Sequence, residues 1–187
     1  MAANPSRRAA VADAALELLG QDGARAVTHR AVDLEAGVPP GTCSNYFRSR
    51  SDLLEGMAQR IFELLTPEPD RLEPLSSLPT EEAGPAYAGY VVERLLARPN
   101  LARALIELRL EAERSPEVAA PLGQFLRAGF DADVDFHTAR GLPGGREHVL
   151  RLHYLINGIL LDALTIPLDP GADPVAQARD ITARLQP

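Results

Sequence analysis

The run Val27-Thr28-His29-Arg30-Ala31-Val32-Asp33-Leu34-Glu35-Ala36-Gly37-Val38 carries the local rules of a capped helix followed by a tight turn. Thr28 stands where an N-cap hydroxyl takes up an orphan backbone N–H. Val32 and Ala36, one turn apart, mark the buried face. Gly37 suits the left-handed backbone that ends a helix and turns the chain sharply, and Val38 is then an apolar plug between two helices. Pro39 and Pro40 fit a helix start, where their missing N–H groups cost nothing. Pro40 to Phe47 therefore reads as a second short helix, with Thr42, Cys43 and Phe47 available to face inward or seal its end.

Outward from this segment the chain is helical throughout: Leu, Ala, Arg and Glu dominate and no stretch alternates apolar and polar for long. A helix from about Pro5 to Leu19 precedes it, with Ala12, Ala15, Leu16 and Leu19 on one face, and Gly20 and Gly23 are expected to stop it. Another starts at Ser51-Asp52 and carries Leu53, Leu54, Met57, Ala58, Ile61 and Leu65. Between Thr66 and Pro79 stand Pro67, Pro69, Pro74 and Pro79, too many for one regular helix. Long helical patterns follow over roughly 80–98, 100–114, 117–139 and 145–166, with a last piece from Pro174 to Leu185. The expected fold is all-α: a three-helix N-terminal unit with a linking helix over 1–65, a Pro-rich linker over 66–79, and a larger helical bundle over 80–187.

The 187 residues are 45% hydrophobic and 24% charged, which is globular composition rather than disorder. No run reaches the ~18 apolar residues of a membrane span. Met1 to Arg8 lacks the apolar core of a signal peptide, so a cytoplasmic protein is expected. The formal charge is −7, and all 19 basic residues are arginine. That balance argues against a surface coated in positive charge, but it is unevenly spread. Residues 1–60 hold seven arginines and seven acids, whereas residues 61–187 hold twelve arginines and nineteen acids, the whole of the net charge. An acidic bulk that repels DNA from every surface but one is compatible with a single oriented DNA-binding face.

A helix–turn–helix whose second helix is too short to build a core serves to present that helix to DNA. Thr28 to Leu54 resembles the DNA-binding segment of the tetracycline-repressor (TetR) family of bacterial regulators, through Thr28, Arg30, Val32, Ala36-Gly37-Val38, Gly41-Thr42, Tyr46-Phe47, Ser49-Arg50 and Leu53-Leu54. Three positions depart from the family pattern. Ser44 stands where Tyr is common, Tyr46 where His is common, and Pro39 replaces a small polar residue at the start of the recognition helix. The resemblance implies a homodimer on a near-palindromic double-stranded operator, responsive to a small-molecule effector and acting as a repressor. It places Pro40, Gly41, Thr42, Ser44 and Asn45 near the major-groove surface, with Asn45 suited to adenine and the Thr42 methyl to a thymine methyl. Thr28, Tyr46 and Arg50 would hold phosphates, with Arg30 and Arg48 as further candidates. Arg7 and Arg8 are placed to reach a flanking phosphate or the minor groove.

The same resemblance implies that two late helices form a dimer interface, assigned to Leu126, Phe130 and Val134 and to Tyr154, Gly158 and Leu161. The other reading of these apolar stretches is the monomer's own core. The helix over 149–166 is apolar nearly all round and should be buried on more than one side. An effector pocket would draw on Tyr87, Tyr90, Leu105, Arg109, Phe125, His153 and Asn157.

Other chemistry has little foothold. His29, His137, His148 and His153 lack metal-ligand spacing, so no metal is expected. Cys43 reads as a small packed residue rather than a redox sensor. Glu107, Glu111 and Glu113 interleave with Arg103, Arg109 and Arg114, as on a solvated, ion-paired face. There is no Gly-rich phosphate loop, nucleophile elbow or paired catalytic constellation, so neither an enzyme nor a cofactor is expected. The competing class is a helical adaptor whose helix–turn–helix binds protein.

Overall fold

The computed structural model describes residues 4–66 and 69–185. Pro67 and Glu68 of the expected linker lie outside them, as do Met1–Ala3 and the last two residues of the expected bundle, Gln186 and Pro187. The described residues form ten helices and no strand: α1 Pro5–Asp22, α2 His29–Glu35, α3 Thr42–Tyr46, α4 Arg50–Leu65, α5 Pro69–Ser76, α6 Thr80–Leu96, α7 Pro99–Ala112, α8 Pro116–Ala139, α9 Gly145–Leu164 and α10 Pro174–Arg184. The all-α expectation holds, and the four long patterns begin and end within two residues of α6 to α9.

Two compact units arise. The first joins residues up to Thr66 with Pro99–Phe125; the second joins residues from Pro67 to Arg98 with Leu126 onward. The packing units therefore divide the chain differently from the linear boundary at 66–79, because α7 and the first part of α8 share a core with the N-terminal helices.

In the first unit, α1 is the central element. Its buried stripe is Val11, Ala12, Ala14, Ala15, Leu16, Leu19 and Gly20. It packs on α2, α4 and α7. Leu53, Leu54, Met57, Ala58 and Ile61 of α4 face this core, together with Leu101, Ala102, Ala104 and Leu108 of α7. Arg60 of α4 reaches Asp13 of α1 through two bonds of 2.7 and 3.1 Å, which fixes the pair of helices at their rim.

Three local expectations are corrected. Gly20 does not stop α1, which runs on to Asp22 and ends at Gly23 with φ of 79°. Gly20 is instead the point of closest approach to α7: a Cβ there would lie 1.9 Å from the Asn100 carbonyl oxygen. The short second helix starts at Thr42 rather than Pro40, because Gly41, with φ of 87°, is its N-cap and leaves both prolines in the turn. The Pro-rich stretch is not without helix. α5 contains Pro74, whose missing N–H forfeits only one bond in an element of eight residues. Pro79 then serves as the N-cap of α6.

In the second unit α6, α9 and α10 pack together. α10 begins at Asp173, whose carboxylate accepts from Val175 and Ala176 N–H, and it buries Ala178 and Thr182. Among the described residues no helix is long and apolar enough to cross a membrane.

Candidate nucleic-acid interface

The helix–turn–helix is held by interactions that span it. Thr28 caps α2, accepting the Ala31 N–H at 3.2 Å. Gly37 takes φ of 61° and closes the helix into the turn. Val32 is fully buried, while Ala36 and Val38 are half-buried. Within the turn, the Thr42 hydroxyl donates to the Pro39 carbonyl at 2.6 Å. That bond occupies the hydroxyl's donor and leaves its oxygen as an acceptor only, beside the apolar methyl.

Asp33 carries the largest local effect, and the sequence gives it no distinction from a solvated helix residue. Its side chain is 5% exposed. One carboxylate oxygen accepts the Gly41 N–H and the other the Cys43 N–H, each at 2.6 Å. A carboxylate at these two donors neutralises the unsatisfied amides at the start of α3. The Cys43 thiol, fully buried and beside that charge, is pushed up to about 11, so it stays a neutral thiol. Burial is the larger cause and Asp33 the second. The packed-residue reading of Cys43 fits this environment.

At the far end of α3, Phe47 is the C-cap and is 1% exposed. Its ring lies against Gly56 of α4, where a Cβ would come within 2.2 Å of the ring edge. The guanidinium of Arg8 sits over this ring, 4.8 Å from its centroid. The His29 ring nitrogen Nε2 is 2.7 Å from the Phe47 carbonyl oxygen. Ser49 and Asp52 close the start of α4 as a capping box, each side chain bonded to the other's N–H at 3.0 Å.

The residues expected at DNA fall into two groups. Arg7, Thr28, Arg30, Pro40, Gly41, Ser44, Asn45 and Arg48 are exposed, and Thr42 and Tyr46 are half-buried beside them. Arg8 and Arg50 already have intramolecular duties. Arg50 donates from its two terminal nitrogens to the Val27 and Ala24 carbonyls, both at 2.9 Å, and so ties α4 to the loop between α1 and α2. His29, Asp33 and Gly56 carry no mark in the sequence, whereas Phe47, expected to face inward or seal the end of the short helix, does both. An Asp eight and ten residues before the amides it bonds leaves no local signature.

The expected effector residues are divided between the units. Leu105 and Arg109 on α7 and Phe125 on α8 belong to the first, where Phe125 stacks on Phe62 at 3.4 Å. Tyr87, Tyr90, His153 and Asn157 belong to the second. There Tyr87 stacks on Phe136 at 4.9 Å and lies 6.2 Å from the Tyr90 ring. Burial first, then the charge of Asp133, raises the Tyr87 phenol to about 12. Asp133 is also the partner of His153, whose Nε2 lies 2.9 Å from its carboxylate. Tyr87, Tyr90 and His153 thus share one aromatic and acidic neighbourhood, and Asn157 donates to the His153 carbonyl at 2.6 Å.

The residues expected at a dimer interface also sit in the second unit. Leu126, Phe130 and Val134 are half-buried on α8, and Arg146 covers the Phe130 ring at 4.5 Å. On α9 the single chain covers only part of the surface. Only His148, Val149, Leu160 and Leu164 are buried, while Tyr154 is 67% and Leu161 51% exposed. With Leu150 and Gly158 these make one open stripe at helical spacing. The helix is apolar on a face that the single chain leaves uncovered.

A profile described as "Bacterial regulatory proteins, tetR family" matches residues 11–57. One described as "Tetracyclin repressor-like, C-terminal domain" matches residues 79–187. Among curated proteins none matches the chain. Among solved structures, the chain is similar to a TetR-family member from Streptomyces coelicolor A3, with 26% identity and a TM-score of 0.72 over 98% of this chain and 99% of that one. It is also similar to the multidrug binding protein EbrR complexed with imidazole, at 25% identity and a TM-score of 0.66, over 98% of this chain and 92% of EbrR. A transcriptional regulator from Rhodococcus sp. Rha1 shares the fold at 21% identity and a TM-score of 0.73, over 98% and 96% of the two chains.

Proposed function

The chain belongs to the tetracycline-repressor family of DNA-binding, ligand-responsive transcription regulators, and from that premise we propose that it is a non-enzymatic, cytoplasmic repressor that binds a near-palindromic operator as a homodimer and is released by a small-molecule effector. The observation that carries this reading is the presentation of α3. A five-residue helix is fastened at both ends by α2 while Gly41, Ser44 and Asn45 face outward. In the major groove Asn45 would pair with adenine, and the Thr42 methyl would meet a thymine methyl. Phosphates would be held by Thr28, Tyr46, Arg30, Arg48 and Arg7. Arg8 and Arg50 would reach phosphate with the N–H donors that their present contacts leave over, so those contacts would also limit how far each can reach.

Two copies would join through the open stripe of α9 with Leu126, Phe130 and Val134 of α8, a two-fold arrangement that matches a two-fold operator. EbrR is a multidrug binding protein by its description, and an effector site in the larger helical region is the corresponding reading here. Ligand binding would release DNA only if it favours a conformation whose recognition helices no longer match the half-sites.

A titration of the full chain against its own upstream DNA at several salt concentrations tests the proposal. A regulator prefers one sequence over a scrambled duplex and loses affinity steeply with salt. Asn45→Ala should erase most of the preference while leaving the salt slope unchanged. Weak, sequence-blind association would favour the adaptor class instead.

A further inference from the structure

α3 is five residues long, too short to hold its own helical shape. Both of its ends are fastened by one neighbour. At the N-terminal end the two oxygens of Asp33 take the Gly41 and Cys43 N–H groups. At the C-terminal end His29 Nε2 meets the Phe47 carbonyl oxygen at 2.7 Å. A carbonyl only accepts, so Nε2 carries the hydrogen and donates it. Residues 29 and 33 are four apart on α2 and project from the same face.

We infer that His29 and Asp33 form a two-point clamp that sets the angle at which α3 meets DNA, and that they are positioning residues for sequence reading; this rests on the DNA-binding reading above. Neither needs to touch a base. The clamp acts on a fixed target at its C-terminal end, since Phe47 is 1% exposed and its ring packs against both Gly56 and Arg8. At the N-terminal end it cannot be replaced by a near-isostere. An asparagine exchanges one acceptor for an NH2 group that would face a backbone N–H.

The two components of DNA affinity respond differently to such a clamp. Base-edge hydrogen bonds need donor and acceptor placed to within about half an ångström, so they fail when α3 tilts. Attraction between arginines and phosphates is long-ranged and tolerates the same tilt. Loosening the clamp should therefore cost preference for one sequence and spare sequence-independent binding.

The test uses DNA selected from a random-sequence pool by the wild-type full chain, with a scrambled duplex as reference. Asp33→Asn is expected to lower the selected-to-scrambled preference by about tenfold to a hundredfold, with scrambled affinity and salt slope unchanged. His29→Gln, which keeps an amide donor for the Phe47 carbonyl, should stay within about threefold of wild type, whereas His29→Leu should lose preference as Asp33→Asn does. Circular dichroism at the assay temperature confirms folding of each variant, and if Asp33→Asn is unfolded the His29 pair decides. Wild-type preference in Asp33→Asn, or His29→Gln as poor as His29→Leu, overturns the clamp while leaving the regulator reading intact. A wild-type chain that enriches no sequence overturns both.

Discussion

Gly20→Ala sets two effects of opposite sign against each other. Gly20 lies inside α1, so alanine gains about 1 kcal/mol of helix propensity, part of it through a less disordered unfolded chain. Against this, the new Cβ would stand 1.9 Å from the Asn100 oxygen, 2.6 Å from its carbonyl carbon and 2.9 Å from its Cα. An ordinary contact needs about 3.5 Å, so the start of α7 would have to retreat by roughly 1.5 Å. The obstacle is backbone, which has no rotamer to yield. α7 is further anchored by buried Leu101, Ala102 and Ala104, and by the Asn100 side chain donating to Glu17 of α1. Overpacking that forces a backbone shift costs about 1–3 kcal/mol, and with so short an approach the upper end applies, so the clash wins by up to about 2 kcal/mol. Urea unfolding followed by circular dichroism at one protein concentration reads this as a lower midpoint with unchanged slope. Gly129→Ala in α8 is the control, because a Cβ there meets nothing within 4 Å. It should stabilise the chain by about 0.5–1 kcal/mol. Gly20→Ala at or above wild-type stability would refute the close-approach argument.

Charge on the open stripe of α9 should abolish self-association. Tyr154→Arg combined with Leu161→Arg is expected to halve the mass seen in analytical ultracentrifugation while helicity is kept, and an unchanged dimer mass would move the interface elsewhere. Asp13→Ala, which removes the partially exposed partner of Arg60, should cost about 1 kcal/mol or less and less still in high salt; a loss that salt does not reduce would point to packing rather than charge. The Cys43 thiol, raised to about 11 by burial and by Asp33, should resist a thiol reagent at pH 8 in the native chain and react once unfolded. Its linkage has a definite sign. Between the unfolded value near 8.5 and the folded value of about 11 the unfolded chain ionises and the folded one does not, so stability falls as pH rises through that window. Cys43→Ala should remove that fall; a decline of the same size in the variant would assign it to another group.

The features legible in the sequence are those written by neighbours along the chain. Thr28 as a cap and Gly37 as a turn follow rules spanning three or four residues, and both stand in the structure as read. Amphipathic spacing and proline punctuation likewise placed α6 to α9. What escaped depends on partners far along the chain. Asp33 has the spacing of a surface residue until α3 folds its amides back onto it. Gly20 looks like a stop signal until Asn100, eighty residues later, fills the space where a side chain would be. Arg50 reads as a phosphate ligand, and no local rule foretells that it also donates to the carbonyls of Ala24 and Val27, 26 and 23 residues earlier. The expected effector residues belong to both packing units, an assignment not legible in the sequence because helical periodicity identifies an inward face but not which neighbour it meets.

The central claim is that this chain reads DNA sequence through α3 presented twice by a two-fold dimer. Sequencing the pool that the full-length wild-type chain selects from random DNA tests it most directly. The account predicts one motif made of two inverted half-sites with centres about one helical turn, or a multiple of it, apart. A pool with no enriched motif, or with a single asymmetric half-site bound by one copy, would contradict it.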